Sequence, residues 1–152
     1  MKYSMPEYLV NKWIDAYGVK TTEKILEDFL TERPLTVRCR THRASKKAIV
    51  TSLRSQGVTV EQAPYLPYAL KISDYNHILT LDAFLQGQIL VQDVSSMMVA
   101  EVASPKKGDY IIDMCAAPGG KSLHLAELLH GTGMVEARDL TEYKVGLIQD
   151  NI

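Results

Sequence analysis

Tyr110 to Ser122 reads YIIDMCAAPGGKS, and the fold class turns on this stretch. YIIDM is a nearly continuous apolar run, the pattern of a parallel strand buried on both faces. CAAPGG follows as a loop, and the next segment spaces Leu123, Leu125, Ala126, Leu128 and Leu129 as a helix. Gly131 and Gly133 break that helix. Met134 to Ala137 reads as a second strand running on to Asp139, and Tyr143 to Ile152 begins another helix. Strand, glycine loop, helix, strand, helix is the first half of an open α/β nucleotide-binding sheet.

The loop leaves the carboxyl end of a strand and opens a helix, where unpaired N–H groups point outward and α/β folds bind ligands. Gly119 and Gly120 remove side chains, so a ligand can approach the backbone closely. Pro118 fixes the turn, and Lys121 adds positive charge where anions are already favoured, whether phosphate or carboxylate. Three ligand classes compete for such a loop. A triphosphate loop needs G-x-x-x-x-G-K-[ST]; Gly120, Lys121 and Ser122 match its end, but Cys115 replaces the first glycine. The dinucleotide pattern G-x-G-x-x-G is absent. S-adenosylmethionine needs close approach to its methionine and ribose, and an acidic residue ending the second strand. Asp139 is placed to accept hydrogen bonds from ribose hydroxyls, so this third class fits best. Asp113 at the strand end orients the loop or contacts the ligand directly.

Upstream, Pro6 to Tyr17 has helical spacing and Gly18 as a stop. Thr21 or Thr22 is placed to cap a second helix with an apolar face of Ile25, Leu26, Phe29 and Leu30, ended by Pro34. Leu35 to Arg40 alternates as a strand, with Leu35, Val37 and Cys39 on one face. Ser45 caps a helix through Ser55, Gly57 stops it, and Val58 to Val60 and Tyr68 to Ile72 are short strands. A helical turn at Leu81 to Leu85 closes a small α+β domain with the outline of an RNA-recognition fold. Ile89 to Val91 is then a further strand, and Asp93 is placed to cap a helix containing Val94, Met97, Met98 and Val102.

Bulk properties agree with a folded chain. The 152 residues are 46% hydrophobic and 23% charged, with a net charge of −1. That length suits one ordinary domain or two small ones. Cys39 and Cys115 are far apart and form neither a metal cluster nor a disulfide framework, so both read as reduced thiols. His42, His77, His124 and His130 show no ligand spacing, and no metal is expected. No stretch approaches the ~20 apolar residues of a membrane span, and no signal peptide opens the chain. A cytoplasmic protein is the expectation.

IIDMCAAPGGKS at Ile111 to Ser122 resembles motif I of the RsmB/NOP2/Sun family of RNA cytosine-C5 methyltransferases. QGQILVQDVSS at Gln86 to Ser96 is similar to the family's G-x-x-x-V-Q-D-x-S-S stretch. PLTVRCR at Pro34 to Arg40 resembles its P-x-T-L-R-V-N segment, with Arg40 where asparagine is usual. PEYLVNKWIDAYG at Pro6 to Gly18 is similar to its P-x-W-L-V-x-x-W-x-x-x-Y-G helix. EARDLTEYKVGLIQDNI at Glu136 to Ile152 is similar to its A-x-D-x-x-x-x-R-x-x-x-L-x-x-N run, with Lys144 close to where the basic residue falls. The likeness spans essentially the whole chain, and the Sun-type 16S ribosomal RNA enzymes are the branch it most resembles.

The resemblance implies that Cys115, Ala116, Ala117, Pro118, Gly119, Gly120 and Lys121 hold the methionine end of S-adenosylmethionine, and Asp139 its ribose. It also implies a substrate cytosine in ribosomal RNA, attacked by a cysteine of a T-C-S segment, with a second cysteine in P-C-S-G assisting release. Neither segment occurs in this sequence. No catalytic residue is therefore assigned, and the chain reads as a truncated piece without turnover. A parallel sheet stopped after two strands is expected to expose an edge and apolar surface. The expected organisation is an α+β RNA-contacting domain at residues 1–85 and a truncated Rossmann-like methyltransferase segment at 86–152. From Arg33 to Arg54 no acidic residue interrupts a basic run. With the family in view, Arg38, Arg40, Arg43, Lys46 and Lys47 are assigned to RNA phosphates rather than to a merely solvated face. Arg38, alternating with buried positions, is expected on an ordered surface. The competing function is a non-catalytic RNA-binding module. Gln92 and Asp93 are placed to approach the cofactor loop.

Overall fold

β1 (Leu35–Cys39) is the strand around which the larger part of the chain is built. In this computed structural model, which describes residues 3–151, β1 pairs antiparallel with β3 (Ala69–Ser73) on one side and β4 (Ile89–Val91) on the other. β2 (Thr59–Gln62) pairs with β3, giving the order β2-β3-β1-β4. Helix α3 (Lys46–Ser55) links β1 to β2, and α4 (Asp82–Leu85) precedes β4. This is the ferredoxin-like, RNA-recognition-type arrangement. Its fourth strand is Ile89–Val91, which the sequence pattern had grouped with the following methyltransferase segment; a three-residue strand carries no signal for its partner. Met1 and Ile152, the outer limits of the two expected domains, lie outside the described residues.

Strand alternation divides the sheet into two faces. Val37 lies opposite Leu70, and Val60 opposite Ile72. These residues pack with Cys39, Ile89, and Ile49 and Leu53 of α3 in one buried cluster. Each such side chain contributes roughly 1.5–3 kcal/mol by leaving water. Ser45 caps α3 by accepting the Ala48 N–H at 3.2 Å.

The opposite face carries Arg38, opposite Ala69. Ala63, Leu66 and Ala69 pack with Met97 of α5 (Val94–Ala103). The Tyr68 hydroxyl bonds the Glu101 carboxylate of α5, and its ring meets the His124 ring edge-on with centroids 5.4 Å apart. His124 belongs to α6 (Gly120–Leu128). The second face is thus covered by α5 and α6 rather than solvated.

β5 (Tyr110–Asp113) and β6 (Met134–Ala137) form a separate two-stranded parallel sheet, followed by α7 (Glu142–Gln149). Gly133, at φ +128°, makes the turn into β6, where an added Cβ would sit 2.4 Å from the Asp109 carbonyl oxygen. Parallel pairing agrees with the apolar pattern of YIIDM, but burial on both faces does not. Tyr110, Ile112 and Met114 are exposed, as are Met134, Leu140 and Tyr143. A sheet of two strands covers one face only.

Residues up to Arg33 form a unit of their own. In it α1 (Glu7–Tyr17) and α2 (Val19–Phe29) pack together, with the Trp13 and Phe29 rings stacked at 6.1 Å. The junction is Gly18 alone, so α2 starts ahead of the expected Thr21 or Thr22 cap. Thr22 lies buried inside the helix with Leu26, while Phe29 and Leu30 are exposed.

Candidate functional site

The loop from Met114 to Gly119 is held by two carboxylates, Asp113 at the end of β5 and Asp139 two residues past β6. Asp113 Oδ1 accepts the Cys115 N–H at 3.3 Å, and Oδ2 accepts the Ser122 hydroxyl at 2.6 Å. Asp113 therefore joins the start of the loop to the first turn of α6. Across the parallel pair, Asp139 Oδ2 accepts the Ala117 N–H at 2.9 Å, and the Arg138 carbonyl accepts the Ala116 N–H at 2.9 Å. The Ala117–Pro118 peptide is cis, and the Pro118 carbonyl accepts from the Asn151 amide at 3.0 Å. Gly119 sits at φ +104°, conformational space that favours glycine, where an added Cβ would lie 3.6 Å from Ile148.

The Asp139 side chain is only 4% exposed. Besides Ala117, the Leu140 N–H bonds its Oδ1 at 2.7 Å and Lys144 approaches the same oxygen at 3.2 Å. Hydrogen bonds from the Ala117 and Leu140 backbone hold this carboxyl below the ordinary aspartate range. The sequence placed Asp139 at a strand end as a ligand acceptor. In the structure its immediate partner is the loop itself.

The loop forms one wall of a cleft of about 350 Å³. Cys115 to Pro118, Gly120 and Lys121 line it on that side; Leu35, Val91, Gln92, Asp93 and Ser96 line the other. The first intrahelical bond of α6 runs from Leu123 N–H to the Gly119 carbonyl at 2.9 Å, so the preceding N–H groups at the helix start are outside the ladder. Lys121 is exposed in the same turn. Asp93 occupies the cap position of α5 without making a side-chain cap bond, and the residue is part of the cleft lining. Leu35, Val91 and Ser96 were not legible as cleft residues, because the first two arrive from the other sheet and Ser96 from α5. A wider cleft of about 750 Å³ in the helical unit, lined by Met5, Pro6, Val10 and Leu26 among others, lacks such a convergence of polar groups.

The basic run separates on inspection. Arg38 is 1% exposed and Arg40 8%, which corrects their placement on an outer phosphate-binding surface. Arg38 pairs with Glu127 of α6, and Arg40 Nε donates to the same carboxylate at 2.6 Å. Burial lowers the Arg38 pKa while Glu127 opposes the shift. Arg43 and Lys47 are exposed, and Lys46 is half-buried with its ammonium donating to Gln62 and the Pro67 carbonyl. Among the described residues, no group of three or more His, Cys, Asp or Glu could hold a metal ion, and no helix is long and apolar enough to cross a membrane.

The chain is similar to known proteins in sequence and fold. A family model described as "Methyltr_RsmF/B-like, ferredoxin-like domain" matches residues 5–78, and one described as "16S rRNA methyltransferase RsmB/F" matches residues 100–152. The Bacillus subtilis "Probable ribosomal RNA small subunit methyltransferase B" is 37% identical over 97% of this chain. The human "28S rRNA (cytosine(4447)-C(5))-methyltransferase" is 27% identical over 99% of it. This chain spans 33% of the former and 19% of the latter. The crystal structure of NSun6 from Pyrococcus horikoshii with SFG superposes at a TM-score of 0.83 over 100% of this chain and 63% of that one; at 19% identity it shares the fold.

Proposed function

Because this chain belongs to the RsmB/NOP2/Sun family of RNA methyltransferases, we propose that its glycine loop and Asp139 form the S-adenosylmethionine site of an enzyme that methylates C5 of a cytosine in ribosomal RNA. The observation that carries this reading is the Ala117 N–H held by Asp139 across two parallel strands, beside a cleft walled by the loop. The residues present suit the cofactor. Gly119 and Gly120 leave room at the backbone, and Lys121 with the first N–H groups of α6 would hold a carboxylate. Asp93, on the facing wall, has the charge to meet an ammonium. Asp139 offers about four lone-pair sites and uses three, on Ala117, Leu140 and Lys144; the fourth, on Oδ2, is assigned to a ribose hydroxyl. The similarity to a structure solved with SFG, an S-adenosylmethionine analogue, supports the same ligand class.

S-adenosylmethionine, when bound, supplies an electrophilic methyl group. This chain's residues bind and orient it, and no nucleophile is assigned among them. Burial pushes the Cys39 thiol up to about 11, and Cys115 is part of the loop wall. Arg43, Lys46 and Lys47 remain assigned to RNA phosphates, and a cytoplasmic location is part of the same proposal. Bisulfite mapping of ribosomal RNA from cells lacking the gene tests the function. One cytosine should lose its protection and regain it on complementation; an unchanged map would refute the assignment.

A further inference from the structure

We propose that Gln92 is a positioning residue for the cofactor loop, with its amide turned by Arg38 so that its NH2 group faces Gly120. The inference concerns the site proposed above and names the device that holds it from the side of the other sheet. Arg38 Nε donates to Gln92 Oε1 at 2.7 Å. A guanidinium N–H is a donor only, so the amide oxygen must face Arg38 and the amide nitrogen must face away. That nitrogen lies 3.4 Å from the Gly120 carbonyl oxygen, at the first residue of α6. Gln92 is 7% exposed, and its own N–H donates to the Thr36 carbonyl at 3.2 Å, so the side chain starts from a fixed backbone.

Arg38 is itself held at the other end of the same helix, by Glu127. A single buried side chain on β1 thus reaches both ends of α6: its C-terminal turn through an ion pair, and its N-terminal turn through Gln92. The cleft wall formed by Cys115 to Lys121 is attached to that N-terminal turn. Gln92 presents its NH2 group at the junction of loop and helix, where an amide of the opposite orientation would set oxygen against oxygen.

Two variants separate positioning from simple packing. Gln92→Glu keeps the shape and still accepts from Arg38, but replaces the donor facing Gly120 with a carboxylate oxygen. Hydrogen exchange of the amides from Met114 to Leu123 should accelerate about tenfold, while the thermal midpoint stays within about 3 °C of the parent. S-adenosylmethionine should then bind about tenfold more weakly. Gln92→Leu also strips Arg38 of its acceptor, and should lower the thermal midpoint as well. Loop exchange in Gln92→Glu equal to the parent would overturn the proposal. So would acceleration spread over the whole chain with a large fall in midpoint. If the parent binds no S-adenosylmethionine but the loop responds locally, the cofactor assignment fails and the positioning role stands.

Discussion

Arg38 of β1, buried, and Glu127 of α6, half-buried, form an ion pair between the four-stranded sheet and the helix that follows the glycine loop. Breaking such a pair strands a charge out of water, which costs more than the pair contributes. Glu127→Ala should therefore destabilise the chain by about 3–5 kcal/mol. The double variant Arg38→Met, Glu127→Leu should recover only the part of that loss due to Arg38, because Arg40, 8% exposed, still loses the same carboxylate. Urea unfolding of Arg38→Met, Glu127→Leu and the double variant measures the coupling directly.

The same contact explains what the sequence could not convey. Arg38 stands in an alternating strand, so its face was legible, but what covers that face arrives some ninety residues later; Glu127 is 89 positions away. A strand pattern reports which side a residue points to and nothing about the partner on that side. The glycine loop was legible for the opposite reason. Asp113, Ala117, Gly119 and Ser122 act within one strand-loop-helix unit, and the more distant Asp139 lies two residues past the adjacent parallel strand, where α/β folds regularly place such a residue. Ile89–Val91 was legible as a strand and Gly18 as the stop of α1, but nothing local showed that strand's partner or that α2 starts directly after Gly18.

His124 is 3% exposed, and burial with the nearby Arg38 guanidinium pulls its pKa down to about 4, against the raising influence of Glu127 and Glu101. Between that value and the ordinary one near 6.5, the unfolded chain binds a proton that the folded chain refuses. Stability is then full above about pH 6.5 and falls as the pH drops through this window. From pH 7.5 to 5 the loss should be about 2 kcal/mol. Replacing His124 with Phe should flatten the dependence in urea titrations at the two pH values.

Gly133 and Gly57 both have positive φ, but only at Gly133 would a Cβ collide with backbone. Gly57→Ala should cost about 1 kcal/mol, from conformation alone. Gly133→Ala should cost about 3 kcal/mol or more, because the Asp109 carbonyl must also move. Thermal melts of the two variants should rank in that order.

The two thiols differ in access. Cys39 is buried with its pKa raised to about 11, whereas Cys115 is exposed. At pH 8 only about one Cys39 in a thousand would be thiolate even with free access. A thiol reagent should modify one cysteine in the folded chain and two in denaturant. Cys115→Ser should abolish the native signal, and saturating S-adenosylmethionine should slow it in the parent.

Titration calorimetry with S-adenosylmethionine tests the cofactor site most directly, using the parent chain, Asp139→Ala and Gly119→Val. Saturable binding in the parent is predicted, weakened about tenfold or more by each substitution, since one frees Ala117 and the other forces a branched side chain onto a glycine conformation beside Ile148. Magnesium–ATP should produce no comparable signal. A folded parent chain that binds no S-adenosylmethionine, or binds it equally well in all three forms, would contradict the assignment of this cleft.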